Sequence, residues 1–291
     1  MADQRFTAQT RLEQVKDFLT MNKTATTIPF DPDSTKFPKR KDVAQPTYAP
    51  PGLQTSWVWG ENDMFAWVPT GSFYNNTSGS DIVGPAANHK CSIHHWSNHG
   101  IAGRGILLDY RSYCDKKGLA FNSYEADRIC YTELEACGKD QGIDIRPQSQ
   151  GGDIQIGDLL FIRSGFIRTY YGKTEEERKT LALRPHQLGP DDGQRWAGVK
   201  QEDAMIDWLH DCYFAAVAGD SPTFEAWPTN QEYHLHEYLL ALWGCPLGEM
   251  IDLERLSQVC REKNRWTFFV TSSPANVPGG VGSHVNGIAI F

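Results

Sequence analysis

The sequence predicts an α/β protein, and two observations carry that reading. Short apolar runs bounded by glycine alternate along the chain with amphipathic stretches that can be capped as helices, the pattern of a sheet buried between helical layers. The composition, 40% hydrophobic and 22% charged over 291 residues, is ordinary for a globular chain of one large domain or two modest ones.

Taken in order, residues 5–21 carry Phe6, Leu12, Val15, Phe18 and Leu19 at a helical period, with Thr7 or Thr10 as caps. Residues 26–52 then gather prolines and lose all period, which predicts an extended arm that tethers across a surface or crosses to a second subunit. We therefore divide the chain into an N-terminal helix and proline-rich arm, 1–50, and an α/β domain, 51–291. Within the domain, "GILLDYRSY" (105–113) reads as a buried strand. "SYEADRICYTELEACGKDQG" (123–142) reads as an amphipathic helix capped by Ser123. "GDLLFIRSGF" (157–166) is a second strand and "TEEERKTLAL" (174–183) a polar helix. Residues 200–220 turn from helix into a small-residue strand, and 232–244 and 252–264 are helices. "RWTFFVTSSP" (265–274) and "VNGIAIF" (285–291) close the sheet with aromatic and β-branched residues.

Charge narrows the function. A formal net charge of −8, with no basic run longer than "KRK" at 39–41, repels phosphate backbones and argues against nucleic-acid partners. No stretch approaches the apolar length of a membrane span, so no membrane partner is expected. The first residues lack the basic-then-apolar layout of a secretory signal, and seven cysteines without a Cys-x-x-Cys pair fit reduced thiols. The expectation is a cytoplasmic protein.

"CSIHHWSNHG" (91–100) places His94, His95 and His99 close together, and three readings fit. On a helix His95 and His99 would share a face, as metal-binding pairs do; the histidines could be acid/base groups; or the stretch is a polar loop entering a strand. Further on, "HEYLLALWGCPLGEM" (236–250) runs from His236 down a helix and reverses at Gly244 and Pro246. A rise of about 1.5 Å per residue lets that reversal return Glu249 towards His236, where a carboxylate would raise the imidazole pKa and fix its tautomer.

Several segments resemble one family in consecutive order. They are "FPKRKDV", "SWVWGENDMF", "GIAGRGILLDY", "GDLLFIRSG", "FAAVAGDSPTFEAWP", "LHEYLLALWGCPLGEMIDLERL" and "RWTFFVTSSPANVPGGVGSHVNGIAIF". Over residues 35–291 the chain resembles the fungal branch of the cyclase family, whose bacterial relatives include kynurenine formamidase and isatin hydrolase. The resemblance implies a single compact swivelling β/β/α cyclase-like domain, assembled as a homodimer, acting on a small-molecule intermediate of secondary metabolism. The family's divalent ion is held by a signature H-x-G-T-H-x-D-x-P-x-H, or roughly S-x-Q-W-D-x-x-x-H in fungal members, and this chain lacks it. Forced onto "SWVWGENDMFAW", the ligand positions carry Val58, Gly60 and Met64. The expectation is accordingly no metal and no other cofactor.

The resemblance matches His94 to a histidine before the family's glycine turn, and His236 and Glu249 to later acid/base positions; these three are the candidate catalytic residues. Arg104 and Asp109 also match, with structural roles favoured for both. Trp57, Trp59, Phe65, Trp67, Phe73, Tyr74 and Trp96 are candidate substrate-binding aromatics, with Arg104 beside them, although core packing explains an aromatic set equally well. Loss of the ion removes activated water, so the leading expectation is a metal-independent cyclase, isomerase or lyase that preorganises a flexible substrate in a dry pocket. A metal-dependent hydrolase of an amide, ester or lactone, and a non-catalytic metabolite-binding protein, are the alternatives.

Overall fold

The computed structural model describes residues 85, 87–89, 92–185, 193–276 and 282–291. The expected N-terminal helix, the proline-rich arm and the six aromatics from Trp57 to Tyr74 lie outside these residues.

The centre is a six-stranded sheet. In chain order its strands are β1 (Ile101–Leu108), β3 (Leu159–Ile162), β5 (Ala216–Gly219), β6 (Leu247–Gly248), β7 (Thr267–Ser272) and β8 (Ile288–Ile290). Across the sheet they run β6-β5-β3-β1-β7-β8. The first four of that order are mutually parallel, whereas β7 lies antiparallel to β1 and β8 antiparallel to β7. Two short parallel strands, β2 (Arg128–Ile129) and β4 (Gly198–Val199), form a separate ladder. The helices are α1 (Ile93–His99), α2 (Tyr110–Lys117), α3 (Tyr131–Asp140), α4 (Phe166–Gly172), α5 (Glu175–Ala182), α6 (Asp203–Asp211) and α7 (Glu254–Lys263). A π-helical turn spans Glu237–Leu242.

Burial explains the layering. On one face Ile106, Leu108, Leu160, Ile162 and Val217 pack in one cluster with Leu134 and Cys137 of α3 and Met205 and Leu209 of α6. On the other, Leu107, Leu159, Ala216, Phe268 and Val270 pack with Leu253 and Cys260 at α7. Period-two alternation along β1 thus feeds both cores, as a sheet covered on both faces requires. Gly105 lets Phe268 approach, since a β-carbon there would sit 2.4 Å from the ring.

Several boundaries differ from expectation, each for a local reason. The first strand spans 101–108, four residues earlier than expected at its start, because the glycine-punctuated "IAGRG" pairs with β7. It stops at Asp109, whose carboxylate caps α2 by accepting from the Ser112 amide. The helix expected from Ser123 begins at Tyr131; Ser123 instead donates to Thr169 at 2.9 Å, and Arg128–Ile129 pair with β4. The second strand ends at Ile162, and the following residues enter α4 through Gly165 in a left-handed conformation. The histidine stretch 93–99 is a helix capped by Ser92 and closed by Gly100 at φ 66°.

Candidate active site

In a parallel sheet, side chains that follow the carboxyl ends of the strands converge on one edge. Here that edge carries Asp109 after β1, Arg163 and Ser164 after β3, Asp220 and Ser221 after β5, and Glu249 after β6.

Two of the clusters at this edge are structural. Arg163 is buried and forks between two acidic partners. Its Nε and Nη2 donate to Glu254 at 2.8 and 2.6 Å, and Nη1 to Asp109 at 2.6 Å. Asp109 further accepts from Ser257 and Arg261. Burial works against its charge, yet Arg163 and these donors hold the carboxyl below its ordinary range. Asp109 therefore clamps β1 and β3 to α7. Asp220 ties the ends of β3 and β5 together, accepting the Ser164 amide, the Ser164 hydroxyl and the Gly165 amide at 2.7, 2.8 and 2.7 Å. Burial still pushes its carboxyl above the ordinary range.

The third cluster has chemistry to offer. His236 stands at the start of the π-helical turn, between two carboxylates. Its Nδ1 lies 2.6 Å from Glu225 Oε1 and its Nε2 lies 3.1 Å from Glu249 Oε1. The reversal through Gly244 and Pro246 runs into β6, which places Glu249 immediately after it. The Glu249 oxygen that meets His236 also accepts the Phe224 amide at 2.9 Å. Glu225 is buried and takes four donors. Oε1 accepts the His236 amide and ring, and Oε2 accepts the Leu235 amide and the Gln201 side chain. The Glu225 segment runs beside β4, where Gly198 is required. A β-carbon at that glycine would lie 2.4 Å from the Glu225 carbonyl carbon.

Burial alone would disfavour a charged His236, but the Glu225 and Glu249 carboxylates outweigh it and raise the imidazole from its ordinary 6.5 to about 9. Burial likewise opposes the Glu225 charge, and the His236 ring with the Leu235 and His236 amides overcomes it, holding that carboxyl below its ordinary range. At neutral pH the site is thus an imidazolium between two acidic side chains. The His236 and Glu249 side chains keep 31% and 27% exposure, so the Nε2 side of the ring is reachable while the Glu225 side is sealed. Such a unit can donate a proton from Nε2, with Glu249 placed to receive or relay one.

The other candidates fall elsewhere. His94 is carried by α1, before the amino end of β1, so it sits at the sheet edge opposite Glu249. Its ring stacks on His89, and its two nitrogens meet the Asn98 and Asn276 side chains at 2.8 and 3.2 Å. The chain order that puts α1 ahead of β1 thus places His94 and His236 at opposite ends of the parallel strands. His99 closes α1, and among the described residues no group of three His, Cys, Asp or Glu side chains is placed to hold a metal ion. Arg104 is likewise committed. It binds both carboxylate oxygens of Asp158 at 2.8 and 2.6 Å and the Asp153 carbonyl at 2.7 Å, which pins the turn before β3. Trp96 stands on α1 with His94. Close in sequence to Glu225 and His236, His234 stacks on Trp227 and Trp227 on Trp196, with centroids 5.6 and 5.9 Å apart.

Glu225 is the residue that sequence reasoning missed. Its signal was a lone carboxylate inside the apolar "TFEAWP", where an unpaired charge would be costly.

Comparison with protein-family models and with curated proteins finds no match. Comparison with solved structures finds the fold. A crystal structure described as a novel cyclase superposes with a TM-score of 0.60 and 26% identity, covering 78% of this chain and 67% of that one. Isatin hydrolase A from Ralstonia solanacearum matches with a TM-score of 0.46 and 14% identity over 72% of this chain and 68% of its own. The chain has a cyclase-like α/β fold.

Proposed function

We propose that this chain is an enzyme that closes, opens or isomerises a small carbonyl-bearing intermediate of secondary metabolism by acid–base catalysis at His236 and Glu249. One observation carries the reading. His236 is held as a proton donor between a sealed carboxylate and a reachable one, an arrangement suited to giving a proton to a carbonyl oxygen or leaving group. Likeness to a structure described as a cyclase supports the reaction class. In this proposal Glu225 orients the ring, His236 donates from Nε2 and Glu249 takes up or relays the proton. The cycle is metal-independent; the support is the family signature absent from the sequence together with a described cluster in which both His236 nitrogens are taken up by Glu225 and Glu249.

The test is turnover against a panel of lactones, cyclic amides and their open-chain keto and hydroxy acids, with and without chelator. Activity that survives chelation and falls by about 10²-fold or more in both His236→Ala and Glu249→Gln, with the fold intact, is the expected result. Activity abolished by chelator, with about one ion per chain by elemental analysis, would instead establish a metal-dependent hydrolase.

We also propose a cytoplasmic homodimer. Six described cysteines are free, as a reducing compartment would leave them. The outer strand β8 carries exposed Ile288 and Ile290 beside exposed Phe269, an edge of the kind that pairing between copies would cover. Light scattering at micromolar concentration should report twice the 32.8 kDa chain mass; a single-chain mass would refute the dimer.

A further inference from the structure

Gln201 is fully buried, and among the described residues its side chain bonds to Glu225 and to the Ala226 carbonyl. Its Nε2 spends both hydrogens, one on Glu225 Oε2 at 2.8 Å and one on the Ala226 carbonyl at 2.7 Å. Two acceptors fix the amide's orientation, because turning it over would set its own oxygen against a carboxylate and a carbonyl. The other end is the anomaly. Oε1 is buried with no hydrogen-bond partner among the described residues. A buried acceptor left unpaired costs stability that a leucine or methionine of similar size would not cost. As a core filler Gln201 is a poor choice, so its worth lies in what the satisfied end holds.

That end holds the aim of Glu225. Of the four donors to this carboxylate, three come from the adjacent residues Leu235 and His236. Gln201 is the fourth and reaches it from the stretch that follows β4. Without it, Oε2 keeps only the Leu235 amide, and the carboxylate can swing with the segment it is meant to orient. We propose that Gln201 is a positioning residue: by pinning Glu225 Oε2 it turns Oε1 onto Nδ1–H of His236 and so presents Nε2 towards Glu249 and substrate. The charged groups that meet the His236 ring are Glu225, after β5, and Glu249, after β6. Replacing a neutral amide alters neither charge, so the effect is one of alignment.

The consequence for turnover rests on the proposed acid–base role, but the measurement does not. Long-range ¹H–¹⁵N spectra of the full chain read the His236 ring protons in wild type, Gln201→Met and Gln201→Asn. The wild type should show a slowly exchanging, hydrogen-bonded Nδ1–H. In Gln201→Met that signal should broaden or vanish while the fold is kept, the unpaired Gln201 Oε1 being exchanged for an unpaired Ala226 carbonyl. On any substrate found, kcat should fall about tenfold at unchanged KM, a part of one acid–base contribution. An unaltered Nδ1–H in folded Gln201→Met overturns the proposal. Should that variant not fold, Gln201→Asn, which keeps the amide but shortens its reach, gives the same decision. Failure of both to fold also overturns it, since Gln201 would then be structural. Loss of the signal without any turnover sensitive to His236 leaves the positioning role standing and removes the proposed function instead.

Discussion

The two nitrogens of His236 answer to carboxylates in different surroundings, and titration separates them. The proton affinity of this ring is raised on folding from 6.5 to about 9, so its contribution to stability is fully present below about pH 6.5 and is lost as pH rises through 9. Glu225 acts in the opposite sense. Its lowered pKa contributes above the ordinary 4.5 and is lost as pH falls through the folded value. Thermal midpoints should therefore decline between pH 7 and 10 in the wild type, and His236→Ala should lose that part of the decline. A variant that declines just as steeply would show that His236 is not the titrating group. Catalysis should weaken over the same alkaline range, because the deprotonated ring has no Nε2 proton to give while Glu225 holds Nδ1–H. Of this site, His236 and Glu249 were legible in the sequence through the family resemblance, and the glycine and proline of "WGCPLGEM" announce the reversal that joins them. Glu225 was not, because its partner amides, Leu235 and His236, are defined only by the path of the backbone between them.

Elements are set where they are by a few polar clamps as well as by apolar faces. Arg163 joins β3 to Asp109 at the end of β1 and to Glu254 at the start of α7. Cutting this buried pair leaves the buried Asp109 charge only the Ser112 amide, Ser257 and the more exposed Arg261, so Arg163→Met should cost about 3–5 kcal/mol. Urea unfolding is the measurement, and a loss under about 1 kcal/mol would mean that Asp109 finds another partner. This clamp also explains why element types were easier to read than their ends. Apolar runs gave the strands, but "LLDYRSY" carries strand-favouring tyrosines past Leu108, and the Asp109 carboxylate that accepts from the Ser112 amide opens α2 there instead. The same holds at Gly165, whose left-handed backbone ends one element and opens the next.

For the whole molecule, the parallel order of β6, β5, β3 and β1 decides which residues can work together. Everything after a carboxyl end meets at one rim, and α1 with its histidines falls at the other. Residue spacing alone could not reveal that separation, since it depends on strand direction. Among the described residues no helix is long and apolar enough to cross a membrane.

The position of β7 has a consequence for biosynthesis. Among the described residues, 101–104 of β1 pair only with β7, which follows at 267–272. While the chain emerges from the ribosome, a central strand must wait for a partner translated after β3, β5 and β6. The interval is filled by an unfinished sheet with an open flank, the kind of intermediate on which chaperones act. A nascent chain arrested at residue 262 should be cut rapidly by protease within 101–108, and the 291-residue chain free of the ribosome should be resistant there. Equal protection of both would mean that β1 is sheltered before β7 arrives.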